Sequence, residues 1–149
     1  RGDGIIGNSD GSTAETETFA TGITNDKGFI DIPDTSIALG NQTFYIYMGN
    51  DLGGTAKPKN VIVVTTISGS TTAELAKDEI AYMEMFDAAI DGTADAGVGR
   101  VRGITSSTGT TLTGTNNKIV SGVTEASGTA EWSTDHRGMV YYFDRDPAF

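Results

Sequence analysis

The chain contains no cysteine, one histidine (His136), one tryptophan (Trp132) and three prolines. Without thiols there are no disulfides, no zinc–thiolate sites and no thiol catalysis. A single imidazole excludes a His-rich metal site and paired-histidine chemistry. Basic residues are also scarce: 10 Lys and Arg stand against 20 Asp and Glu, a formal net charge of -10. Nucleic acids and anionic membrane surfaces are recognised by clustered Lys and Arg, so this balance argues against both as partners. No apolar run approaches the roughly 18 residues that cross a bilayer, so no direct membrane span is expected.

Glycine and threonine take up the shortfall, with 20 Gly and 22 Thr among 149 residues. Threonine is β-branched and favours strands, and glycine serves tight turns. The length is that of one ordinary domain, so residues 1–149 are expected to form a single globular domain. It suffices to bury roughly 70% of the surface an unfolded chain exposes.

Along the chain, residues 1–28 are polar and rich in Gly, Ser, Thr and acids, which predicts loop. Phe29–Ile32 alternates briefly and stops at Pro33, a short strand. Thr43–Met48 is dense in aromatic and β-branched residues, and Val61–Ile67 is the most apolar run. Both read as strands, the second buried on both faces, and the Gly-rich loop between them permits an antiparallel pair. A helix is predicted from about Thr72 to Ile90 or Asp91, capped by Thr71 or Thr72 and closed by Gly92. Leu75, Ile80, Met83, Phe86 and Ile90 are expected to form its inner face. Ala96–Ile104, Lys118–Val123, Thr129–Ser133 and Gly138–Phe143 read as further strands, the last three as a meander. The fold class is therefore α+β, a mainly antiparallel sheet with one substantial helix.

Chemistry-bearing patterns are few. A serine hydrolase needs a base beside its nucleophile, and the sole candidate, His136 beside Asp135, lies in Ser133–Gly138, which reads as an exposed turn. No catalytic residues are assigned, and an enzyme is not expected. Asp3 and Asp10 sit among glycines, and Asp144 and Asp146 form a second acidic pair. These are candidate calcium ligands, since calcium takes six to eight oxygens from carboxylates and carbonyls. Neither cluster matches a twelve-residue calcium loop, and turn-forming Asp and Asn account for both without metal. Asn41-Gln42-Thr43 is a candidate N-glycosylation sequon. Arg1-Gly2-Asp3 spells a cell-adhesion tripeptide.

Two stretches resemble the globular region of type IV pilins. The first is Gly2-Asp3-Gly4-Ile5-Ile6, which resembles the segment that follows the family's long N-terminal helix. The second is Glu79–Gly103, in which Phe86-Asp87, Ile90-Asp91-Gly92 and Gly99 with Val101 fall at the places of the family's I-D, I-D-D-G and G-x-V. Ala89 stands where Lys is usual, and no Pro precedes Gly99. The resemblance implies a pilin-like globular domain without the long apolar helix. That helix would be supplied by another chain, as in a split pilin, or would have been removed. It further implies a structural subunit of an extracellular, cell-surface filament, with a short helical pilin chain and neighbouring copies as partners. Ile5, Ile6, Phe29, Ile32, Phe44, Ile46, Val61 and Val63 are the residues expected to pack on the partner helix. Two other readings suit the composition: a virion decoration or capsid-surface protein, and a secreted calcium- or carbohydrate-binding module.

Overall fold

The computed structural model describes residues 17–19, 23–25, 35–51, 59–67, 72–106 and 123–143. Its elements, in chain order, are β1 (Glu17–Phe19), β2 (Ile23–Asn25), β3 (Thr35–Leu39), β4 (Gln42–Asp51), β5 (Lys59–Thr65), α1 (Lys77–Asp91), β6 (Val101–Ser106), β7 (Val123–Glu125) and β8 (His136–Tyr142). β1 and β2 form a small antiparallel pair. The other strands form one six-stranded sheet in the order β3-β4-β5-β8-β6-β7, and every pairing is antiparallel. An α+β fold, mainly antiparallel with one helix among the described residues, is what the pattern along the chain predicts.

Both faces of the sheet are apolar at its centre, because the central strands carry hydrophobic residues at odd and even positions alike. On one face Val64, Met139 and Val101 pack with Phe44, Leu75, Met83 of α1 and Trp132. On the far face Val61, Val63, Val140 and Ile104 pack with Tyr47, Ile67 and Tyr142. The Tyr47 hydroxyl donates to the Ile67 carbonyl at 2.8 Å, so the polar tip of a buried ring is satisfied.

Five expectations need correction. The helix begins at Lys77 rather than Thr72. Residues 72–76 instead form an extended strap whose backbone is taken by tertiary partners. Thr66 Oγ1 accepts the Ala73 N–H (3.2 Å) and donates to its carbonyl (2.6 Å). Leu75 N–H donates to the His136 carbonyl (3.3 Å), and Gln42 Nε2 to the Glu74 carbonyl (2.7 Å). Residues 129–133 are not a strand, and the last strands are not a meander, since β8 inserts between β5 and β6. Residues 96–100 are turns, and β6 starts at Val101. His136 is no exposed turn residue. It opens β8, is 4% exposed, and sits where a register shift between Ile104 and Thr105 bulges the ladder. A bulge re-aims a side chain, and here it turns the imidazole to the helix-bearing face, beside Trp132. The expected strands at 29–32 and over most of 118–123 lie outside the described residues.

Candidate interaction surface

α1 has two unlike sides. Its inner side is buried through Glu79, Met83 and Asp87, at i, i+4 and i+8. Two of those three residues are carboxylates, and neither has a cation against it among the described residues. Each is held by N–H donors instead. Glu79 Oε2 accepts the Ala76 N–H at 2.8 Å, and Oε1 accepts the Asn41 N–H in the β3–β4 turn at 3.1 Å. Ala76 is the residue that caps α1. Glu79 thus satisfies a helix-terminal amide from the third position and lies in the favourable field of the helix N-terminus. Asp87 Oδ2 accepts the Trp132 indole N–H at 2.9 Å.

The carboxylates continue past the end of the helix. Asp91 Oδ2 accepts the N–H groups of Arg100 and Val101, both at 2.8 Å, and so fixes the entry to β6. Asp95 Oδ1 accepts from Gly97 (2.9 Å) and Ala130 (3.1 Å), which ties the turn after α1 to the segment before β8. Gly92, at φ 85°, closes the helix by donating its N–H to the Ala88 carbonyl. The left-handed conformation of such a cap suits glycine. A negative group near a helix C-terminus is disfavoured by the helix dipole, and two charge-assisted hydrogen bonds offset that at Asp91.

Burial pushes the Asp87 carboxyl up to about 6. The Trp132 hydrogen bond and the Asp95 backbone pull the other way, and the negative charges of Asp91 and Asp95 add to the rise. Burial also lowers the pKa of His136.

The outer flank of α1 is apolar and exposed. Tyr82, Phe86 and Ile90 lie at i, i+4 and i+8, with Met85 beside them, and they are 46%, 38%, 40% and 70% exposed. Phe86 and Ile90 were expected on the inner face. The inner positions go to Asp87 and Asp91 because donors wait for them there, the Trp132 indole for the first and two backbone amides for the second, and the apolar residues are left outside. The flank continues onto the sheet. The Phe86 ring meets Tyr141 edge-on, with centroids 5.9 Å apart. Tyr141 pairs across the ladder with Ile62, and Ile62 with Met48. Tyr141 and Ile62 are half-buried, and Met48 is 42% exposed. The Arg100 guanidinium lies 5.6 Å from the Tyr141 ring centroid, and its Nε donates to the Tyr142 carbonyl (2.8 Å). The result is a ledge, with the flank of α1 as wall and part of the sheet as floor.

The residues expected to meet a partner helix do not share one face. Phe44 and Ile46 lie on the sheet face that carries α1, and Val61 and Val63 lie on the far face, buried. Asn41 is exposed in the β3–β4 turn. Ile5, Ile6, Phe29, Ile32 and the calcium candidates Asp3, Asp10, Asp144 and Asp146 lie outside the described residues. Among the described residues no cluster of acids and histidine is arranged to hold a metal ion, and no helix is long and apolar enough to cross a membrane. Tyr82, Met85 and Tyr141 escaped the sequence reading. For Tyr82 and Met85 the signal was the width of the apolar distribution around α1, which exceeds what one inner face holds. No family model matches the chain, and no curated protein and no solved structure matches it either.

Proposed function

We propose that this chain is a structural subunit of an extracellular, pilus-like filament, and that it packs on an apolar helix of another chain and on neighbouring copies. The observation that carries the reading is the exposed apolar ledge formed by Tyr82, Met85, Phe86 and Ile90 beside Tyr141 and Ile62. Scattered apolar residues on a surface need no explanation, but a contiguous patch on one helix flank marks an interaction site. Residues at i, i+4 and i+8 over an apolar floor suit a helix laid alongside. The role is one of contact rather than catalysis. The likeness of Glu79–Gly103 to the pilin motif gains a physical sense from the same geometry: Asp87 and Asp91 staple α1 to Trp132 and β6, and so hold the flank outward.

The test is native mass spectrometry with electron microscopy on the assembly from its source. The proposal expects a filament in which the chain occurs one-to-one with a short apolar helical polypeptide, or carries such a helix itself. A soluble monomer, or an icosahedral particle, overturns it.

A further inference from the structure

We infer that Asp87, Trp132 and His136 form an acid-responsive latch between α1 and the start of β8. The three side chains are buried, 0%, 6% and 4% exposed, and they make one continuous line. Asp87 Oδ2 holds the Trp132 indole N–H, and the indole lies against the His136 ring with centroids 5.3 Å apart. His136 Nδ1 accepts the Ser133 backbone N–H at 3.0 Å. That bond requires an unprotonated Nδ1.

The two ends respond to acid in opposite senses. Asp87 Oδ1 is buried and has no hydrogen-bond partner among the described residues. A proton can therefore settle on Oδ1 while Oδ2 keeps its bond to Trp132, and a costly buried charge disappears. The groups around this carboxyl are Asp91 on α1 and Asp95 in the following turn, both negative, with Trp132 from the segment before β8. None of them is a cation, so nothing there favours ionisation except N–H dipoles. His136 behaves in reverse. Protonation at Nδ1 turns the acceptor of the Ser133 N–H into a second donor. Burial opposes the cation most, the Ser133 carbonyl 3.3 Å from Nδ1 and Asp135 favour it, and Arg137 opposes it. The cation would be packed against β6 at Gly103, where even a Cβ would fall 2.4 Å from the imidazole Cδ2. Mild acid therefore neutralises Asp87 while the latch stays closed through Oδ2, and stronger acid opens it at His136.

Trp132 is the sole tryptophan, so its emission reads the latch directly. The expected result is a spectral transition with a midpoint near pH 6 in the full chain. It should be absent in Asp87→Asn and retained in His136→Gln, and the His136→Gln chain should resist unfolding at lower pH than the wild type. The side-chain carboxyl 13C shift of Asp87 in the unmodified chain gives the same answer without any substitution, and should titrate near pH 6. A carboxyl that titrates at the ordinary aspartate value overturns the inference. So does an indole emission that is flat between pH 5 and 7.5.

Discussion

The inner and outer sides of α1 invert the usual arrangement of a surface helix. The inner side buries Glu79 and Asp87, and the outer flank exposes Tyr82, Met85, Phe86 and Ile90. Burying a carboxylate without a cation is costly unless donors are already in place. Here the donors are backbone amides of the β3–β4 turn, of the helix cap and of the entry to β6, with one indole. The inner side thus uses polar bonds to fix the angle and register of the helix, while greasy surface is left on the other side. The proposal thus assigns stability and assembly to opposite sides of a single element.

The comparison can be broken from the inside first. Glu79→Ala removes the acceptor for two backbone N–H groups, and is expected to cost about 3 kcal/mol, read by urea denaturation. Asp87 acts through pH. Its folded pKa, about 6, is raised above the ordinary value of 3.8. The folded state therefore binds the proton more tightly, and stability from this group is gained as pH falls from about 6 to about 4, up to about 3 kcal/mol. His136 contributes with the opposite sign. Its folded pKa lies below 6.5, so stability present at neutral pH is lost as pH falls below that value. Melting curves of Asp87→Asn should retain only the second slope, and those of His136→Gln only the first.

A smaller effect is expected at Gly99, where φ is 94° and a Cβ would fall 2.3 Å from Asp91 Oδ2. Gly99→Ala should cost about 2 kcal/mol through backbone strain and displacement of that carboxylate. The smallest effect on stability belongs to the outer flank. Tyr82→Ser with Ile90→Ser should shift stability by no more than about 0.5 kcal/mol each, yet abolish incorporation into the proposed filament. Equal damage to stability from both sides would remove the distinction.

Much of the frame was legible from local sequence. Thr43–Met48 and Val61–Ile67 announce strands because aromatic and β-branched residues suit a pleated, buried surface, and they lie within β4 and overlap β5. Lys77–Asp91 shows its helix through strong helix formers and Gly92. The orientation of that helix was not legible. Assigning Phe86 and Ile90 inward assumes that burial follows hydrophobicity, whereas Asp87 and Asp91 are drawn in by partners 9 to 45 residues away. β3 was hidden because Thr35–Leu39 is short and lies between Pro33 and Gly40. The insertion of β8 between β5 and β6, and with it the burial of His136, depends on long-range pairing that no local pattern encodes.

The central claim is that the outer flank of α1 is covered in the native assembly. Hydroxyl-radical footprinting of the assembly against the dissociated chain tests it most directly, since Tyr82, Met85 and Phe86 are all reactive and all exposed in the single chain. The account predicts strong protection of these three residues on assembly. Equal labelling in the two states would contradict it.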